Sequence, residues 1–135
     1  MTDILKITAA DIDADGFYIG KTDVTDYPGH IEIDAGLGCV RFKARCAAKF
    51  SITAKAGSGI EAGSGIEAGD GIEAGDGIEA GFSISAKWVS SRLRIFAGLC
   101  LWRLPRPEEA QIHAELRSGT IAFGELVEPE KEAAA

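Results

Sequence analysis

Carboxylates are the side chains whose types and spacing offer chemistry in this chain. Asp11, Asp13 and Asp15 occupy alternate positions and are followed by Gly16. An Asp-x-Asp-x-Asp-Gly run opens a calcium loop, in which alternate carboxylates converge on the ion and the glycine makes the sharp turn. The bidentate glutamate of such a loop is replaced at the twelfth position by Thr22, with Asp23 next. No helical pattern flanks the run, so a polar turn between short strands at 6–8 and 17–19 is the competing reading. A second set is Glu61, Glu67, Asp70, Glu73, Asp76 and Glu79, with no lysine or arginine between Ala56 and Ala86. Such a tract either binds a cationic partner or serves only solubility.

Catalytic constellations are weak by comparison. Asp26-Tyr-Pro-Gly-His30 gathers acid and base groups but reads as a tight turn before a strand. Ser90 and Ser91 have no base nearby in sequence. Cys39, Cys46 and Cys100 lack metal-binding spacing and stand far from His30 and His113, so zinc is not expected. Small, reduced core residues are the simpler reading of the cysteines. Nucleophile-elbow, phosphate-loop and metalloprotease motifs do not occur. No enzyme is expected, and no cofactor apart from a calcium ion at Asp11, Asp13 and Asp15.

The elements that must position these groups follow from a repeat. Residues 57–80 are four tandem hexads, Gly-Ser-Gly-Ile-Glu-Ala twice and then Gly-Asp-Gly-Ile-Glu-Ala twice. A period of six suits strands, whose side chains alternate with period two, and suits a helix badly, because each glycine there costs about 1 kcal/mol against alanine. Ile60 and Ala62, and their equivalents, are expected inside, with Glu61, Glu67, Glu73 and Glu79 outside. The glycines are expected at corners, through positive φ or close packing, with Ser58, Ser64, Asp70 and Asp76 capping corner amides.

The expected fold is all-β: a short parallel β-helix, or β-solenoid, built on the hexads. Residues 82–87 keep the hexad phase; residues 50–55 nearly repeat them but are offset by two. The expected organisation is N-terminal cap strands over 1–38, the solenoid over 39–104, a C-terminal hairpin cap over 105–128 and a tail over 129–135. The hexads are partly similar to those of left-handed β-helix acyltransferases, but no histidine lies in the repeat, so that activity is not carried over. The period leaves the handedness open.

The basic flanks are Arg41, Lys43, Arg45, Lys49 and Lys55 before the tract, and Lys87, Arg92, Arg94, Arg103 and Arg106 after it. In the parallel stack the glutamates of neighbouring rungs are expected to form a ladder at about 4.8 Å, repelling by roughly 1 kcal/mol per step in water. The net charge of −7 disfavours direct nucleic-acid binding.

The tandem Gly-x-Gly-Ile-Glu-Ala run, Arg94-Ile-Phe-Ala-Gly-Leu-Cys-Leu-Trp-Arg103, Pro107-Glu-Glu109, Arg117-Ser-Gly-Thr120 and the Asp13–Thr25 segment together resemble a family of small hexapeptide-repeat proteins of phages and other mobile elements. That resemblance implies a counter-defence factor of the anti-CRISPR kind, some of which act by nucleic-acid mimicry. The expected function is therefore a non-enzymatic inhibitor of a bacterial defence complex. It would use the acidic ladder of Glu61, Glu67, Asp70, Glu73, Asp76 and Glu79 to occupy a basic groove of a host protein or defence ribonucleoprotein. The alternative is a phage assembly protein that forms homo-oligomers through its coils; a calcium-stabilised adhesive module is a third reading. A basic leader and a stretch of about 20 apolar residues are both lacking, so a cytoplasmic protein without membrane contact is expected.

Overall fold

The computed structural model describes residues 3–100 and 104–128. Its strands are β1 (Ile4–Ile7), β2 (His30–Ile33), β3 (Gly38–Phe42), β4 (Cys46–Ala48), β5 (Ile52–Ala54), β6 (Ser58–Ala62), β7 (Ile66–Ala68), β8 (Gly71–Ala74), β9 (Ile78–Ala80), β10 (Ile84–Phe96), β11 (Gln111–Phe123) and β12 (Glu125–Val127). All twelve join one curled sheet whose ladders are parallel. Among the described residues there is no α-helix, only short 3-10 turns at Ala9–Asp11 and Pro107–Ala110.

Each perfect hexad supplies one strand, β6 to β9, yet consecutive hexads do not pair. Ile60 pairs with Ile78, three hexads on, and Ile66 pairs with Ile84. The pairings fall into three columns. Column one runs β1, β2, β5, β8 and then residues 88–91 of β10. Column two runs β3, β6, β9 and residues 95–96 of β10. Column three runs β4, β7 and residues 84–85 of β10. β11 then lies along β10, and β12 along β11. A circuit of chain in the repeat is therefore three hexads, and the four hexads exceed one circuit by a single strand.

Alternation decides what faces in. Ile60, Ile66, Ile72 and Ile78 are fully buried, and Ala62, Ala68, Ala74 and Ala80 nearly so. They stack on equivalents from other circuits: Ile31, Ile52, Ile72 and Val89 in column one, and Val40, Ile60, Ile78 and Ile95 in column two. Cys46 takes the same place in column three, against Ile66, where burial pushes its thiol up to about 12. That makes it the expected inert core residue. Cys39, by contrast, is exposed and Cys100 is half-buried, so the core expectation holds for one cysteine of the three.

The two-residue offset of the upstream flank is a corner. Gly36 N–H donates to Ala56 O and Gly38 N–H to Gly57 O, so the longer corner of one circuit rests on that of the next. Gly36, Gly38 and Gly57 have φ of 73°, 72° and 80°, so they supply the left-handed backbone these corners need. Buried Ser58 closes the corner: its Oγ accepts from Leu37 N–H and donates to Asp34 O. The other repeat glycines have no positive φ. They are glycine because the circuits approach closely: a Cβ on Gly63, Gly69, Gly75 or Gly81 would lie 1.9–2.4 Å from a carbonyl oxygen of the preceding circuit.

The two ends differ from expectation. β1 and β2 belong to column one, so part of the N-terminal cap is itself coil. The cap proper is the irregular segment 16–29, which bonds to β3 and β4 through Tyr18 N–H to Arg41 O, Arg41 N–H to Gly16 O and Ala47 N–H to Val24 O. At the other end there is no hairpin. Gln111 pairs with Glu125 in parallel, because the bends at Gly119 and Gly124, both with φ of 105°, carry the chain round another circuit instead of reversing it. The expected tail over 129–135 lies outside the described residues, as do residues 101–103 of the expected solenoid span, and β10 ends at Phe96.

Candidate binding face

The circuit of three hexads determines where each acid lies. Glu61 and Glu79 are neighbours on the outer face of column two, on the paired strands β6 and β9. Glu67 lies on column three between Ala47 and Ser85, and Glu73 on column one between Thr53 and Ser90. Asp70 and Asp76 sit at corners. The sequence placed all four glutamates in one ladder at strand spacing; the structure distributes them around three faces and leaves one glutamate-on-glutamate step.

Cations stand near several of these acids. The sequence reads as five charge bands of alternating sign. Residues 1–38 carry eight acids against Lys6 and Lys21, residues 39–56 five bases and no acid, residues 57–80 six acids and no base, residues 81–106 five bases and no acid, and residues 107–135 seven acids against Arg117 and Lys131. The middle bands each span about one circuit, so opposite signs meet across most of their ladders. Arg41 Nε is 3.1 Å from Glu61, Lys55 Nζ 3.1 Å from Glu32, Lys87 Nζ 3.5 Å from Asp70, and Arg45 pairs with Glu67. The acidic tract that stands unrelieved in sequence is thus bracketed in space by basic circuits.

Column two is where this balance fails. Its outer row reads Arg41, Glu61, Glu79 and Phe96, so two carboxyl groups share one guanidinium. Burial first, then the hydrogen bond and charge of Glu61, hold the Glu79 carboxyl above the usual carboxylate range, while Arg41 pulls the other way. The guanidinium is fixed from behind by Phe17, whose ring centroid is 4.5 Å from Cζ.

The preceding row reads Cys39, Gly59, Gly77 and Arg94. Its two glycines make the floor of an open groove of about 650 Å³. Glu61 and Glu79 form one wall, and Asp76, Leu93, Arg94 and Phe96 also line it. A second groove of about 420 Å³ lies on the other side of the carboxyl row, lined by Phe17, Lys43, Gly81 and Leu99 among others. The Cys39 thiol donates to Glu61 Oε1 at 3.7 Å. Partial burial, followed by the charges of Glu61 and Glu79, pushes it up to about 12, so it is a thiol and a poor nucleophile at neutral pH. Cys39, Glu61 and Glu79 present one ligand atom each within 4.8 Å of one another, the group of three among the described residues with metal-binding spacing.

The aspartate loop has a different use for its carboxylates. Asp13 Oδ1 accepts the backbone N–H groups of Asp15 and Phe17, both at 2.9 Å, and Asp11 Oδ2 accepts Thr8 N–H at 2.9 Å. Gly16, with φ of 87°, completes the turn. Asp11 and Asp13 cap local backbone, Asp15 is exposed, and the three are not among the groups with metal-binding spacing in the described residues. His30 is also structural: its Nδ1 lies 2.6 Å from Ser51 Oγ and its ring stacks on Phe50.

Cys39, Arg41 and Phe96 were missed as members of the site. The signal for them is a count of 17 to 20 residues along the chain, which places each beside a hexad position once the circuit length is known. Among the described residues no helix is long and apolar enough to cross a membrane. Comparison of the chain with family models, curated proteins and solved structures returned no match.

Proposed function

We propose that the chain is a short parallel β-helix that works by binding a protein partner, without catalysis, through the outer face of column two. The observation that carries this reading is the carboxyl pair: Glu61 and Glu79 are ladder neighbours with Arg41 paired to Glu61 at one end of the row, beside an open groove. A lysine or arginine entering the groove supplies the missing counter-charge, and Leu93 and Phe96 pack its aliphatic stem.

The partner class suggested by the resemblance to mobile-element repeat proteins is a host protein or defence ribonucleoprotein whose basic groove handles nucleic acid. For such a partner the contact is compact: Glu61, Glu79 and Asp76 engage it, while Glu67 and Asp70 are satisfied by Arg45 and Lys87 within the chain.

Two charge-matched variants test this. Glu61→Gln with Glu79→Gln and Glu67→Gln with Glu73→Gln remove the same formal charge from different faces. Capture of host proteins from bacterial lysate, followed across a salt series, should be lost in the first pair and kept in the second. Equal loss in both pairs, or retention in both, rejects column two as the binding face.

A further inference from the structure

The ends of the sheet pose a problem that the charge bands answer. β1 pairs with β2 alone and β12 with β11 alone among the described strands, so each end presents an open parallel edge. Residues 115–118 of β11 likewise have β10 on one side only, and they lie in column one, the same column as β1. Apolar side chains accompany both edges: Ile4 and Ile19 are 50% and 58% exposed at one end, Phe123 and Val127 51% and 36% at the other. An open edge with exposed apolar residues is a template for another chain. Here the strand direction is common to both ends, so a second copy added head to tail would continue the ladder.

We propose that a second copy of this chain is kept off these ends by like charge, so that the edges of β1, β12 and residues 115–118 are guarded electrostatically and not by a paired strand. Within the chain most steps from one circuit to the next join bands of opposite sign; β1 on β2, β6 on β9 and β11 on β12 are the steps within one band. A head-to-tail junction joins residues 107–128 of one copy to residues 3–38 of the next, acid on acid.

At the C-terminal end the acids left over are those of the edge itself. Glu108 and Glu109 lie with Arg106, and Glu115 with Arg117. Glu125 accepts from the neutral Gln111 amide and Glu128 from Leu116 N–H; neither is paired with a cation among the described residues. At the N-terminal end Asp3, Asp15 and Asp26 are exposed, Asp11, Asp13 and Asp23 cap backbone, and Lys6 and Lys21 are the cations present.

The test is charge reversal, read by sedimentation and light scattering at neutral pH and low salt. The wild-type chain should remain at 14.2 kDa. Glu125→Lys with Glu128→Lys makes the two ends complementary and should give a series of multiples of that mass, dispersed by added salt. Adding Asp3→Lys, Asp15→Lys and Asp26→Lys restores like charge at the junction and should return the monomer. Salt has the opposite effect on the wild type, promoting association as the repulsion is screened within about 10 Å at 0.1 M. A double variant with wild-type circular dichroism that stays monomeric overturns the proposal, and so does a five-fold variant that still polymerises. If the lysine variants fail to fold, Glu125→Gln with Glu128→Gln must associate at lower salt than the wild type, and failure to do so has the same consequence.

Discussion

Glycines that look equivalent in the repeat should respond differently to one added methyl group. Gly65 and Gly71 occupy the same position of consecutive hexads, and Gly69 opens the second of the two. A Cβ on Gly65 would meet Ser83 O at 3.2 Å, a slight crowding. The conformational freedom that alanine removes from the unfolded chain offsets it by about 0.4–1 kcal/mol, so Gly65→Ala should be within about 1 kcal/mol of neutral. On Gly69 the Cβ would lie 1.9 Å from Lys49 O, and ordinary contact needs about 1.5 Å more. A movement of that size breaks the 3.1 Å bond from Gly69 N–H to Ala48 O. Lost bonding and overpacking together cost about 2–4 kcal/mol. With a urea slope of about 1–3 kcal/mol per molar, the unfolding midpoint of Gly69→Ala should fall by roughly 1–2 M. Gly71 is the informative case, because its obstacle is the Trp88 ring, 1.9 Å from the added Cβ. Gly71→Ala should be costly in the wild type, where the ring also carries Arg117 at 4.6 Å, and nearly free in a Trp88→Ala background. A double-mutant cycle by urea unfolding measures that coupling. Equal midpoint shifts for all three glycines, or no coupling to Trp88, would refute the stacking of circuits on which the columns rest.

Two further outcomes follow from the site and the loop. The folded Glu79 carboxyl titrates above its unfolded value, so its favourable contribution is present below the unfolded pKa and is lost as pH rises through the folded one. Glu79→Gln should therefore melt at a higher temperature than the wild type at neutral pH, with the difference closing in acid; thermal melts across pH decide it, and a pH-independent difference excludes the shared-proton pair. Asp13→Ala removes the acceptor of two backbone N–H groups, so it should lower the melting temperature equally in calcium and in chelator; a loss seen only with calcium would restore the ion-binding loop.

Local periodicity made the interior legible. Alternation within Ile-Glu-Ala places Ile60 and Ala62 inside and Glu61 outside without reference to any other residue, and Phe82 to Lys87 continue that phase. The neighbours of Glu61 were not legible, because pairing across 18 to 20 residues leaves no mark on a six-residue period. A ladder of all four glutamates and a ladder of two are compatible with the same alternation. The corner at Ala56 and Gly57 hid the circuit length further, since it displaces Ile52 from the hexad phase while leaving it beneath Ile72. The C-terminal hairpin was inferred from Arg117-Ser-Gly119, a fair turn signal; a glycine bend serves a corner as readily as a reversal, and only the partner strand distinguishes them.

A circuit of three hexads gives repeat number an angular meaning. In the β-helix proposed above, adding one hexad rotates everything downstream of it by a third of a revolution relative to the N-terminal cap, whereas adding three restores the heading. The count also sets the electrostatics: each hexad beyond three lays one more glutamate on another, and the present four yield the single pair Glu61 and Glu79. A copying error of eighteen nucleotides would thus turn the basic circuit that follows the tract toward a new direction and create another unbalanced carboxyl pair. Tandem identity, which looks like redundancy, makes the molecule an adjustable dial.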